Sequence, residues 1–140
     1  MFPAKLFPAF IIFVLANNVA AQQKQGDFDL LCEGEKVTTI GGNLTERVPF
    51  SDVWTISPSR SQVSKQTPGL SDSWYSATIS ANTIEWHKEY RRPDSKAFAS
   101  YQIDRRSQVY QATFTAESPK FDDLLERSNG KCSILSSPKF

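Results

Sequence analysis

From Trp74 to Phe114 polar and apolar side chains alternate through three short turns, and one apolar face runs through all of them. Ser80-Ala81-Asn82-Thr83 forms the first turn, and pairing Ser80 with Thr83 sets Ile79 against Ile84 and Ala77 against Trp86. Arg92-Pro93-Asp94-Ser95 forms the second, with proline where its fixed φ suits a turn. Closing it places Trp86 opposite Tyr101 and Ile84 opposite Ile103. A third turn at Arg105-Arg106 brings Tyr101 opposite Tyr110 and Ala99 opposite Ala112. The resulting face holds Tyr75, Ala77, Ile79, Ile84, Trp86 and Tyr90, then Ala99, Tyr101, Ile103, Tyr110, Ala112 and Phe114. A one-residue slip in any hairpin would expose half of that set. The segment is a four-stranded antiparallel meander.

The flanks are less regular. Asp27 to Cys32 alternates as a strand, Gly41-Gly42-Asn43 is a turn, and Leu44 to Val48 is a strand halted by Pro49. Val53 to Ser57 forms another strand, with Trp54 and Ile56 on one face. Ser57 to Ser73, rich in Ser and containing Pro58, Pro68 and Gly69, reads as loop with at most a short strand around Gln62 to Lys65. Near the end the period changes. Ser118 can cap a helix, Pro119 suits its first position, and Asp122 and Asp123 favour its positive end. Phe121, Leu124 and Leu125 make one stripe and Gly130 a stop, which predicts a helix over 119–128 laid on the sheet. Lys131 to Leu135 then returns as a last strand.

Residues 1–21 read as a secretory signal: Lys5 precedes the apolar run Leu6 to Ala16, which is too short for the roughly 20 residues of a membrane span. Val19 and Ala21 are small residues placed for a cut before Gln22, leaving 22–140 as a single exported domain, periplasmic or secreted, with no membrane span. Removing Lys5 with the leader leaves equal numbers of basic and acidic side chains. A neutral chain has no electrostatic footprint for nucleic acid or an anionic membrane. In an oxidising compartment the two cysteines, Cys32 and Cys132, make one disulfide, worth about 4–5 kcal/mol on the chain-entropy model for a loop of about 100 residues. Neither has the close partner that redox or metal chemistry needs.

Few residues offer chemistry. Glu85, His87 and Glu89 project together from the outer face of one strand. They are either an acid–imidazole–acid row, completed by Asp72 or Asp52 in a small periplasmic enzyme, or the polar side of a half-buried strand. Neighbours about 7 Å apart along a strand are too distant to share one small ion, so no metal and no cofactor are expected. Lys88 interrupts the inner face between Trp86 and Tyr90, either snorkelling with its stem over Tyr75 or standing as a positive group in a barrel mouth, ready for an anionic ligand. Arg91-Arg92 and Arg105-Arg106 lie at opposite ends of one strand and form no single basic patch. Trp74 alternates outward at the exit of the Ser57–Ser73 loop, where Arg60 and Lys65 add donors. It is either the anchor for a protein partner or a residue buried against the helix. Asn43-Leu44-Thr45 is a glycosylation sequon.

Cys32-Glu33-Gly34, Ile103-Asp104-Arg105 and Gly130-Lys131-Cys132 resemble small exported proteobacterial proteins of uncharacterised function. Those have an early Cys-x-Gly, a strand ending Ile-Asp/Asn-Arg before a Thr-Gly-type turn, and a late Gly-x-Cys. Arg106-Ser107-Gln108 departs from that pattern where the glycine is expected. The resemblance implies a bacterial envelope protein and supplies no activity. A fainter similarity is to periplasmic inhibitors of c-type lysozyme, which enter the lysozyme cleft with a Ser-Gly-x-x-Tyr loop. Ser71-Asp72-Ser73-Trp74-Tyr75 matches the serine and tyrosine but lacks the glycine.

The expectation is an all-β domain, an antiparallel meander curled into a small barrel or sandwich, with one short C-terminal helix and one disulfide. Its function is non-catalytic binding of an envelope protein, with a lysozyme-inhibitor-like role or a small enzyme as alternatives. Candidate binding residues are Trp74, Arg60, Lys65, Tyr75 and Lys88. The sequence sets no oligomeric state.

Overall fold

Alternation that is strict over ten or more residues suits strands hydrogen-bonded on both edges, with one side wet and one side packed. The computed structural model describes residues 26–69 and 73–135, and there the chain forms eight such strands. They are β1 (Phe28–Ile40), β2 (Asn43–Ser57), β3 (Gln62–Gln66), β4 (Trp74–Ile79), β5 (Thr83–Arg92), β6 (Ser95–Asp104), β7 (Val109–Ser118) and β8 (Phe121–Ile134). Each pairs antiparallel with the next, and β8 pairs with β1, so the sheet closes into a barrel rather than a sandwich. The leader reading of residues 1–21 lies outside the described residues.

The first two hairpins of the meander have the expected register, Ala77 against Trp86 and Trp86 against Tyr101. The third differs by two residues. Tyr101 faces Ala112, and Tyr110 faces Ile103 instead. The turn is longer than Arg105-Arg106: Asp104 Oδ1 accepts the Arg106 and Ser107 N–H groups at 2.8 and 3.0 Å. Gln108 then closes it with φ 66° and an N–H donated to the Asp104 carbonyl. A shift of two keeps every side chain on its face, so the apolar set survived the wrong register.

Two corrections concern the ends of the chain. No helix forms over 119–128; β8 runs through it. A helix would have satisfied its own backbone, but this segment lies between the open edges of β7 and β1 and bonds to both. The Ser118 hydroxyl still accepts a nearby N–H, that of Lys120 at 3.2 Å, in a hairpin turn instead of a helix cap. Pro49 does not halt a strand either, since β2 passes through it. β3 pairs only with Val53–Ser57, so the upper part of β2 has one free side. A proline on a free edge costs no ladder bond. The Ser57–Ser73 stretch, read as mostly loop, contains β3 between two shorter connections.

Inside, side chains stand in rows that cross the strands. One row runs Gly34, Gly130, Tyr110, Ile103, Ile84 and Ile79. The next holds Lys36, Ser128, Ala112, Tyr101, Trp86 and Ala77. Above it come Thr38, Glu126, Phe114, Ala99 and Lys88, then Ile40, Leu124, Ala116, Ala97 and Tyr90. Ile56, Val63, Ile84 and Ile103 are buried at the closed end, each worth about 1.5–3 kcal/mol of transfer free energy for a large aliphatic side chain.

The seam between first and last strands is tied twice. Cys32 and Cys132 are register partners joined by the expected disulfide, with Cα atoms 4.0 Å apart. Two residues along, Gly34 faces Gly130, and a Cβ on Gly34 would strike the Asn129 carbonyl oxygen. The glycines leave room for the residues flanking them. Phe50 beside Gly34 and Tyr110 beside Gly130 lean together over the gap, with ring centroids 5.6 Å apart.

Candidate functional site at the open end of the barrel

The five candidate binding residues separate into two groups. Arg60 and Trp74 lie on the outer wall, the guanidinium 4.1 Å from the indole centroid. Arg60 also donates to Ser57 Oγ at 3.1 Å and stands 3.6 Å from Asp27. Trp74 is half-buried in this arrangement, and among the described residues there is no helix for it to pack against. Ser71 and Asp72, the first two positions of the lysozyme-inhibitor similarity, lie outside the described residues.

Tyr75 and Lys88 meet at the mouth, and Lys65 is the register partner of Trp54, the indole next to Lys88. Alternation carries Lys88 inward opposite Ala99, as expected, and its ammonium lies 3.9 Å from the Tyr75 ring centroid. Trp54 and Tyr101 complete the surround at 5.9 and 5.8 Å. Attraction to ring faces holds the charge where water is scarce. Among the described residues no carboxylate comes within 4.0 Å of it. Lys65 differs, since its ammonium is 3.3 Å from Asp52.

Beneath the lysine lies an aromatic cluster. Trp86 stacks on Tyr101 at 5.0 Å and 7°, and Trp54 meets both edge-on at 4.7 and 5.2 Å. Such pairs add about 0.5–1.5 kcal/mol beyond area burial. Trp54 and Trp86 are 1% and 3% exposed, yet among the described residues neither indole N–H has a hydrogen-bond partner. The Trp54 N–H approaches the Tyr110 hydroxyl without completing a bond of good geometry. Burial, reinforced by Tyr90, Tyr75, Asp52 and Glu126, pushes the Tyr101 phenol up to about 12. Burial pushes Tyr110 up as well, helped by Asp52. Both stay protonated and can donate. A cavity of about 110 Å³ opens here, lined by Trp54, Tyr101, Tyr110, Lys36 and Glu126 among others.

Lys36 and Glu126 were missed because the first strand was ended at Cys32 and Glu126 was placed on a helix. Trp54 and Tyr101 were read as core, which they are, but their alternation also lines the lumen. The outer row Glu85, His87, Glu89 stays exposed and does not converge. His87 lies against Phe98 with ring centroids 5.9 Å apart, and Glu89 stands 3.7 Å from Arg91. Asp52 faces the lumen on the opposite side of the sheet and cannot complete that row. Among the described residues no group of three metal-ligating side chains comes together, and no helix is long and apolar enough to cross a membrane.

No protein-family model matches the chain, and no curated protein is similar to it. Among solved structures it is similar to the isotype 1 transferrin binding protein B from serogroup B Neisseria meningitidis, with a TM-score of 0.45 and 10% sequence identity. That likeness covers 78% of this chain and 26% of the other, so the chain spans a minor part of that protein's length.

Proposed function

We propose that this is an exported, non-catalytic binding protein whose ligand enters at the open end of the barrel. The observation that carries the reading is Lys88, a cation held among Tyr75, Tyr101 and Trp54 with no carboxylate of the described residues within 4.0 Å. Half-burying an ammonium without an ion-pair partner costs free energy, and a site that bears such a cost is a candidate for function. Eight-stranded barrels are just wide enough either to fill with side chains or to hold one small ligand. This one does the first at its closed end and leaves room at the other. The disulfide across the seam supports export, because such bonds persist in oxidising compartments.

Native mass spectrometry tests the reading. The disulfide-bonded protein and its Lys88→Met variant are each incubated with a small-molecule extract of a bacterial envelope. A bound species on the parent that is missing from the variant is the expected result. No bound species, or the same species on both, overturns the open end as the binding surface.

A further inference from the structure

The rows above Lys88 specify a ligand class, on the reading that the open end is the binding surface. Immediately above the Lys88 row, five strands in succession contribute Tyr90, Ala97, Ala116, Leu124 and Ile40, all on the inner face. Tyr90 and Ile40 are 50% and 40% exposed, and the other three are half-buried or less covered than the core. With strands about 4.8 Å apart, the row extends roughly 19 Å along the concave wall. An apolar band of that length is what a hydrocarbon chain would cover.

Below the band the chemistry is that of a donor site. Lys36 and Lys65 line the cavity with Asp52 and Glu126, two charges of each sign with Lys65 paired to Asp52, and Lys88, beside it over the Trp54 and Tyr101 rings, adds one positive charge. Trp54, whose buried N–H completes no hydrogen bond of good geometry among the described residues, lines the cavity there with the Tyr101 and Tyr110 phenols. Unpaired buried donors cost about 1–3 kcal/mol each, and an acceptor entering from outside would recover part of that. A carboxylate offers two acceptor oxygens and one negative charge. It matches the charge excess and leaves the hydrocarbon to the band.

We propose that the open end binds an amphiphilic monocarboxylate, its acid group seated at Lys88 beside the Trp54–Tyr110 cavity and its hydrocarbon along the Tyr90–Ile40 row. The small formal charge of the chain, +1, is consistent with recognition by this local charge and not by a general field.

Decanoate serves as the probe, with decanol and decylamine as neutral and cationic counterparts of the same length. Tryptophan fluorescence of the disulfide-bonded protein reports binding, because Trp54 and Trp86 lie in the cluster under Lys88. Saturable quenching by decanoate is expected, with decanol at least about tenfold weaker for lack of the charge-assisted contact. Lys88→Met keeps an unbranched side chain directed at Tyr75 and removes the charge, so it should lose that preference while its thermal melt stays close to the parent's. Leu124→Ser, within the band between Ala116 and Ile40, should weaken decanoate and decanol alike. Equal binding of decanoate and decanol overturns the proposal. So does tighter binding of decylamine, an unchanged preference in Lys88→Met, or no saturable response to decanoate up to its solubility limit. If decanoate fails but a species from the envelope extract still requires Lys88, the binding reading stands and only the carboxylate assignment falls.

Discussion

The two ends of the barrel are built from the same strands and differ in almost everything else. At the closed end, Ile56, Val63, Ile84 and Ile103 fill the lumen and the disulfide pins the seam. At the open end, β3 and β4 are only 5 and 6 residues long while β1, β2 and β8 run 13 to 15, so one wall stands above the other. The side chains there are lysines, acids and donors without acceptors. One end is organised to exclude water, and the other holds polar groups that a purely structural barrel would not need. Stability and binding are thereby separated along one axis.

That separation can be broken first at the seam. Gly130→Val places a side chain against the Glu33 carbonyl oxygen, backbone that has nowhere to go. The expected loss is about 4 kcal/mol or more, among the largest single-substitution effects. Little disulfide-bonded protein should be recovered on oxidative refolding, and urea unfolding of whatever is recovered should show the loss. Replacing both cysteines by serine should cost about 4–5 kcal/mol on the chain-entropy model, read from the same urea midpoint. A loss below about 1 kcal/mol would mean that the β1–β8 hydrogen bonds close the seam unaided.

Alkaline pH acts on the middle of the barrel. Tyr101 and Tyr110 have phenols raised above the ordinary value near 10, so the native state keeps protons that the unfolded chain releases. Their contribution is intact below about pH 10 and is lost as pH rises toward 12. Thermal melts should fall over that window, with phenolate absorbance from these two rings appearing together with unfolding. The smallest effect belongs to the rim. Lys65→Ala removes a partly exposed pair with Asp52 and should change stability by less than about 1 kcal/mol. A larger loss would make the open end part of the load path and erase the distinction between the two ends.

How much of this could be read beforehand follows the same division. The meander was readable because turns and alternation agreed, and an error of two residues at Arg105–Gln108 left the faces unchanged. The disulfide followed from compartment and count. The last strand is readable only at its end, Lys131 to Ile134, which pairs Cys132 with Cys32 as expected; its first part is not, because Phe121, Leu124 and Leu125 at helical spacing behind Ser118-Pro119 satisfy every local rule for a helix. What overrides them is non-local: the edges of β1 and β7, between which this segment pairs on both sides. Losing β8 and the upper half of β1 also hid Glu126 and Lys36, so Lys88 was visible as an anomaly but its surroundings were not. Gly130 was taken for a helix stop, yet it is a point of close approach to Gly34.

Pairing the first strand with the last also sets the order in which the molecule can assemble. β1 is made early, but its β8 side stays unsatisfied until the chain has been built as far as Ile134. The partners Cys32 and Cys132 are 100 residues apart, so the contact that completes the barrel is among the most non-local the chain contains. Such contacts form slowly, because loop entropy is lost before they return any stabilisation. The hairpins from β4 to β7 need no such wait and can form as they emerge. The barrel therefore zips locally through its middle and shuts last at its seam, with β1 an open edge in the interval. The disulfide then converts a late, reversible closure into a permanent one.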